Sequence, residues 1–105
     1  MISQDQIKAV IERIAVKYNP ERILLFGSYA NGTPNENSDL DLLIVNDSTK
    51  DNKVLQREIR RDLLRRDFAL DLLVCNPHQI KNAAQESLSF LNQIATSGRI
   101  IYERK

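Results

Sequence analysis

The sequence predicts an α/β (α+β) fold in which a small mixed β-sheet carries helices mainly on one side. Apolar residues at helical spacing alternate along the chain with short β-prone apolar runs. Two of these runs are joined by a helix, and such a crossover connection favours parallel, adjacent strands. Because 105 residues support one hydrophobic core, we expect a single domain over residues 1–105.

The amino-terminal segment is predicted to be an amphipathic helix over residues 4–18. Ser3 and Gln6 have the spacing of a capping box. Asn19 and Pro20 then end the segment, since proline cannot continue a helix. Apolar side chains recur at helical intervals, at Ile7, Val10, Ile11, Ile14, Ala15 and Tyr18.

The remaining elements follow from the same signals. Apolar, β-prone runs bounded by turn residues predict strands, and Leu55, Ile59 and Leu63 have the four-residue spacing of a helix. In chain order we predict a strand at 22–26, a loop at 32–37, a strand at 39–45, a helix from 53 to about 66, a strand at 68–74, a helical region from 77 to about 97 with a break near Glu86 and Ser87, a cap at Gly98 and a short strand at 100–102.

Composition gives little indication of a partner. Fifteen basic and fourteen acidic residues leave a net charge of +1, so no overall field favours nucleic acid or an anionic membrane. The predicted helix from 53 to about 66 has a basic side with interspersed acidic residues, and we expect this side to be solvated. Cys75 is the only cysteine and is expected to be buried. Without a membrane span or a signal peptide in the sequence, a cytoplasmic location is expected.

The segment from Gly27 to Asp41 carries the main functional signal. Asp39 and Asp41 are two residues apart at the head of an apolar strand, so their side chains are expected to project to one face, about 6.6 Å apart. Two carboxylates on a rigid strand suit a divalent cation. Ser28 is expected to cap a short helical turn that starts at Tyr29, leaving backbone N–H groups free for phosphate.

Asp71 is a third candidate because it lies within an otherwise apolar predicted strand. A buried carboxylate is costly unless it is neutralised or paired. If this strand lies beside the second, Asp71 joins Asp39 and Asp41 on one face, and a divalent cation removes their mutual repulsion. The alternative is a salt bridge from Asp71 to an arginine such as Arg22.

These residues together resemble a known family. Gly27 and Ser28, then Asp39 and Asp41 after ten further residues, with a later Leu-Asp-Leu around Asp71, are similar to the nucleotidyltransferase superfamily that includes DNA polymerase beta. The short chain, the YANG that begins at Tyr29 and the terminal GRIIYER resemble its minimal nucleotidyltransferase branch. The resemblance implies the nucleotidyltransferase fold, with Asp39, Asp41 and Asp71 as catalytic residues and ligands of two magnesium ions. It also implies that Gly27 and Ser28 bind the triphosphate of ATP or another NTP.

The resemblance also implies a protein partner. Members of this branch are similar to antitoxins that pair with HEPN-domain ribonuclease toxins, and several transfer AMP from ATP to a toxin tyrosine. A chain of 105 residues has little room for an acceptor-binding domain beside a nucleotide site, which also favours a protein acceptor. Two alternatives stay open. The first alternative to AMP transfer is a non-catalytic module that neutralises its partner by contact. The second is a transferase that acts on a small molecule such as an aminoglycoside.

Overall fold

A computed structural model describes residues 2–63, 68–83 and 90–105. The predicted end of the third helix near Arg66 and the predicted break near Glu86 and Ser87 lie outside these ranges. Within them, no helix is long and apolar enough to cross a membrane. The elements are α1 (Gln4–Tyr18), β1 (Arg22–Phe26), α2 (Ser28–Asn31), β2 (Leu40–Val45), α3 (Asn52–Asp62), β3 (Leu70–Cys75), α4 (Pro77–Ala83), α5 (Phe90–Ser97) and β4 (Arg99–Glu103).

Helix α1 has the predicted bounds because its two ends are fixed locally. The Gln6 backbone N–H donates to the Ser3 hydroxyl at 3.1 Å, and the Ser3 N–H donates to the Gln6 side chain at 2.8 Å. At the other end, Asn19 adopts a left-handed conformation with φ 48° and donates its N–H to the Ala15 carbonyl. The capping box and the helix over residues 4–18 are therefore confirmed.

The four strands form one mixed sheet in the order β3-β2-β1-β4. Strand β1 is antiparallel to both β2 and β4, and β2 is parallel to β3. Helix α3 is the crossover between the two parallel strands. The predicted mixed sheet and the predicted parallel pairing of the second and third strands are both confirmed.

Alternating side chains divide the sheet into two apolar faces. The longer helices α1 and α3 cover one, which we call the α1/α3 face, and the shorter helices α4 and α5 cover the other, the α4/α5 face. The sequence predicts helices mainly on one side of the sheet, and α1 and α3 lie there. Helices α4 and α5 form a second layer on the opposite side. The α1/α3 face presents Ile23, Leu25, Leu40, Leu42, Ile44 and Leu72. The α4/α5 face presents Leu24, Phe26, Leu43, Val45 and Cys75.

Strand β3 is an edge strand, and side chains of α3 occupy its outer backbone groups. The Val74 N–H donates to the Gln56 side chain at 3.2 Å, and the Arg60 guanidinium donates to the Leu72 carbonyl at 3.3 Å. Gln56 and Arg60 are four residues apart and so lie on one side of α3. Helix α3 therefore covers the free edge of β3 as well as one face of the sheet.

Cys75 is buried at the end of β3, as the sequence predicts. Burial raises the pKa of its thiol to about 11, with partial opposition from the charge of Arg22. Because the thiolate is the reactive form, Cys75 acts as a small apolar residue of the core.

Candidate active site

The parallel pairing of β2 and β3 places two of the predicted carboxylates side by side. Asp41 and Asp71 are direct partners in the register of these strands. Their neighbours Leu43 and Cys75, two and four residues further along, belong to the α4/α5 face, so both carboxylates lie on that side of the sheet. Asp39 immediately precedes β2, rather than lying within the strand. The structure thus brings the predicted site residues of two separate segments to one place.

Asp41 experiences the charges of both other carboxylates. Burial, together with the nearby charges of Asp71 and Asp39, raises its pKa to about 6. Folding therefore makes the charged form of Asp41 less favourable than it is in the unfolded chain. A cation beside these three side chains would reverse that balance.

Gly27 lies directly against Asp41. A Cβ atom at Gly27 would lie 2.1 Å from Oδ2 of Asp41, and the backbone has a φ of 73°, which side-chain-bearing residues rarely adopt. No other residue type meets both conditions without a shift of the backbone or of the carboxylate. The Gly-Ser turn and the carboxylates, separate in sequence, therefore form one continuous surface.

The turn differs in one detail from its prediction. Gly27, not Ser28, is the residue that precedes helix α2, and Ser28 is the first residue of that helix. The Gly27 carbonyl accepts the N–H groups of Ala30 and Asn31, both at 3.1 Å. The expectation that Ser28 caps a turn starting at Tyr29 is wrong, because the left-handed glycine lets the helical turn begin one residue earlier.

Asp71 is more exposed than its apolar surroundings in the sequence suggest. Its side chain is 50% exposed and lies 3.7 Å from the Arg60 guanidinium. The expectation of burial is wrong because β3 is an edge strand. Arg22 is not the partner, since its guanidinium lies 3.3 Å from Glu21. With both side chains about half exposed, the Arg60 pair holds Asp71 only weakly.

The donor set suits a hard divalent cation. In the described residues, no group of three or more His, Cys, Asp or Glu side chains is drawn together tightly enough to be a metal centre. Three carboxylates from two neighbouring segments nevertheless supply the oxygen ligands that Mg²⁺ prefers. The raised pKa of Asp41 shows that their charges oppose one another, and a cation removes that opposition. The donor types, though not drawn into a closed ligand set, are therefore those that magnesium prefers.

Two further residues contact either a carboxylate or the strand partner of one. Arg60, which the sequence assigns to a solvated basic face, contacts Asp71 across the sheet edge. Phe90, at the start of α5, contacts Phe26 with ring centroids 5.8 Å apart. No local pattern in the sequence identifies either residue, because each reaches the site only through the packing of a helix on the sheet.

An apolar groove lies away from the carboxylates. It measures about 480 Å³, and its lining includes Ile7 of α1, Tyr29 of α2 and Ile101 of β4 but none of the three carboxylates. At the carboxylates, the Asp71 side chain is 50% exposed. An accessible carboxylate suits an acceptor group that is presented by another macromolecule.

Comparisons with known proteins agree with this geometry. The protein-family model described as "Polymerase beta, Nucleotidyltransferase" matches residues 8–105. No curated protein sequence gives a significant match.

Several solved structures share the fold. A protein from Sulfolobus solfataricus assigned as a nucleotidyltransferase is 20% identical, with a TM-score of 0.64 over 93% of this chain and 78% of its own. A toxin–antitoxin complex with AMP-PNP is 25% identical, with a TM-score of 0.63 over 93% of this chain and 74% of its own. A mutant of the toxin–antitoxin pair MntA-HpeT is 22% identical, with a TM-score of 0.59 over 100% of this chain and 76% of its own.

Proposed function

The chain belongs to the polymerase beta nucleotidyltransferase family, and on that premise we propose that it is a magnesium-dependent transferase that passes AMP from ATP to a protein hydroxyl. The acceptor we propose is a tyrosine of a HEPN-type toxin, which makes the chain an antitoxin. Residues 1–105 form one minimal domain for this task, and the reaction takes place in the cytoplasm.

One observation carries the enzymatic part of the proposal. Asp41 and Asp71 are partners in adjacent parallel strands, and the Cβ-less face of Gly27 lies against Asp41. A purely structural arrangement has no need to place three carboxylates and a positive-φ glycine together, since their repulsion opposes folding. A nucleotide site needs both features, because the carboxylates hold the cation and the glycine allows phosphate to approach the backbone closely.

In the mechanism, Asp39 and Asp41 would hold two magnesium ions, and Asp71 would complete the site on the acceptor side. When bound, the ions neutralise the charge that develops on the phosphoryl oxygens. Gly27 and Ser28 would bind the triphosphate and align the α-phosphorus with the acceptor oxygen. The acceptor oxygen then forms a bond to the α-phosphorus, the bond to the pyrophosphate oxygen breaks, and the hydroxyl proton passes to solvent.

The partner part of the proposal rests on two lines of support. Two of the structural neighbours are toxin–antitoxin complexes, one of them with the ATP analogue AMP-PNP. The half-exposed side chain of Asp71 is accessible to a hydroxyl presented by a second protein. Because two of the neighbours are toxin–antitoxin complexes, we place transfer to a small acceptor such as an aminoglycoside second.

Mass spectrometry of a HEPN-type toxin encoded beside this chain tests the proposal. The toxin is co-expressed with the parent chain, with Asp39→Asn, or with the control Asp5→Asn, which removes an equal charge from an exposed position in the first turn of α1. We expect added AMP with the parent and with Asp5→Asn, and none with Asp39→Asn. Stable binding without added AMP in all three would favour neutralisation by contact, and absence of binding would refute the partnership.

A further inference from the structure

Phe90 is an aromatic residue that packs against the strand partner of Asp41. It is the first residue of α5, and its ring meets that of Phe26 at an interplanar angle of 86° with centroids 5.8 Å apart. Phe26 is buried in the sheet. An edge-to-face contact of this kind fixes one side of the Phe90 ring without enclosing it.

Phe26 connects Phe90 to the candidate active site. Phe26 is the direct partner of Asp41 in the antiparallel pairing of β1 and β2, and it immediately precedes Gly27. Directly opposite residues of two strands project from the same face, with Cβ atoms about 5 Å apart. The Phe90 ring is therefore one side chain removed from the carboxylate of Asp41.

The ring is exposed where an aromatic side chain would ordinarily be covered. Phe90 is 56% exposed, and it is the only aromatic residue among the large apolar side chains that the described part of the chain leaves in solvent. The others, Val16, Val54 and Ile100, lie on α1, α3 and β4. A single exposed apolar side chain is common on protein surfaces. Its position beside the proposed phosphate and cation site gives Phe90 a specific ligand chemistry.

We propose that Phe90 is the platform on which the base of the bound nucleotide stacks. The inference rests on the proposed function, since it requires a nucleotide whose phosphates lie at Asp41 and Gly27. A nucleotide has a charged end and a flat apolar end, and the two adjoining surfaces match them. Stacking is available to every base, so Phe90 contributes affinity for nucleotides generally and leaves the choice among them to other contacts.

Calorimetry with two probes tests this assignment. Magnesium-ATP carries a base and magnesium-tripolyphosphate does not. We expect Phe90→Ala to weaken ATP binding by roughly 5- to 160-fold, the range that loss of one stacked base produces, and to leave tripolyphosphate binding unchanged. Phe90→Tyr should restore ATP binding. Val16→Ala, a truncation of an exposed apolar residue on α1, is the matched control and should alter neither.

The outcomes separate the two proposals. If the parent binds ATP and Phe90→Ala binds it equally well, the stacking assignment is wrong and the nucleotidyltransferase proposal stands. Equal weakening of both probes would show that Phe90 supports the phosphate site only through packing, which also overturns the assignment. If the parent binds neither probe, the proposed function fails and the assignment fails with it.

A fluorescent variant gives an independent reading. The chain contains no tryptophan, so Phe90→Trp introduces a single indole at the proposed platform. Its emission should change on addition of magnesium-ATP and stay constant with magnesium-tripolyphosphate. A change that appears only with the toxin partner would assign Phe90 to a protein interface instead and overturn the proposal.

Discussion

The two faces of the β2–β3 pair differ in burial and in charge. Leu42 and Leu72 are register partners on the α1/α3 face, and both are fully buried. Asp41 and Asp71 are the preceding partners of the same two strands, on the opposite face, where Asp71 is half exposed. In each strand, the aspartate of the candidate site is thus followed directly by a leucine of the core. Adjacent residues of one strand serve the proposed activity and the stability of the fold.

This comparison shows how the core positions the site. Because side chains alternate along a strand, a slip of one residue would exchange the leucines and the aspartates between the faces. The burial of Leu42 and Leu72 opposes such a slip, since it would place carboxylates against α1 and α3. Substitutions on the two faces should therefore have opposite signatures, one on stability and the other on transfer.

The largest effect is expected for Asp41→Asn on transfer. Loss of one cation ligand should lower the rate by about a thousandfold, or about 4 kcal/mol in the barrier. The measurement is the rate of AMP incorporation into the partner at saturating ATP. Retention of more than a tenth of the parent rate would remove Asp41 from the active site and break the contrast between the faces.

Leu42→Ala should have the converse signature. Truncation of a fully buried leucine costs about 2 to 5 kcal/mol of unfolding free energy, measured by urea denaturation. Below its unfolding transition the variant should keep most of the parent's transfer rate. A folded Leu42→Ala chain without activity would show that the α1/α3 face takes part in function directly.

Gly27→Ala tests the contact between the turn and the carboxylate. The new Cβ would clash with Asp41 Oδ2 at 2.1 Å in a conformation that is already unfavourable at φ 73°. Gly32→Ala is a close control, because Gly32 has φ 75° with nothing within 4 Å of its Cβ position. Gly32→Ala should lose about 1 to 2 kcal/mol of stability from left-handed backbone strain. Gly27→Ala should lose more, because its ψ of −156° lies in a region open essentially to glycine alone, and only this variant should also lose transfer, by more than tenfold. Similar activities for the two would contradict the proposed contact.

The pH dependence of stability sharpens the comparison on the carboxylate side. With its pKa raised to about 6, Asp41 keeps its proton longer in the folded chain than in the unfolded chain. Stability from this residue is therefore complete below about pH 4 and is lost as pH rises through 6. Asn has no charge to gain. In EDTA at pH 7.5 we expect Asp41→Asn to be more stable by about 1 kcal/mol after solvent screening, or roughly 4 °C in Tm.

At pH 3.5 the melting temperatures of the parent and of Asp41→Asn should coincide. Leu42→Ala should melt below both at either pH. If Asp41→Asn melts well below the parent at pH 7.5 in EDTA, Asp41 serves the structure, and the metal-site proposal fails.

The smallest effect concerns Arg60, which competes with a cation for Asp71. Because the pair is half exposed at 3.7 Å, Arg60→Gln should change stability by less than about 1 kcal/mol. It should raise magnesium affinity by about two- to fivefold, measured by calorimetric titration of Mg²⁺. Arg57→Gln removes the same charge from an exposed position of α3 and should have less effect. Weaker magnesium binding in Arg60→Gln would instead make Arg60 a residue that positions Asp71.

The sequence predicts those parts of the fold that local interactions determine. Helix α1 and strand β1 have the predicted bounds, residues 4–18 and 22–26, because capping and turn residues act within a few positions. The parallel β2–β3 pair follows from the length of its connection. The third predicted strand, at 68–74, is shifted to Leu70–Cys75, since its start depends on pairing with β2.

Predictions that depend on long-range arrangement are less complete. The sequence identifies Asp71 but not its exposure, because nothing local indicates that β3 is an edge strand. It does not indicate that Arg60 reaches Asp71 or that Phe90 contacts Phe26, as both come from helices packed on the sheet. The position of Ser28 depends on the backbone conformation of Gly27, which the dipeptide leaves open.

The covered edge of β3 has a consequence for how the chain behaves in a crowded cell. A free strand edge is a template for strands of other molecules and a common starting point of aggregation. The outward Val74 N–H and Leu72 carbonyl are engaged by Gln56 and Arg60 of the same chain, so a foreign strand must first displace both side chains. Helix α3 thus protects the solubility of the protein at the edge that adjoins its proposed site. The half-exposed Asp71 in the same strand adds a charge that repels unwanted neighbours while leaving the face accessible to an intended one.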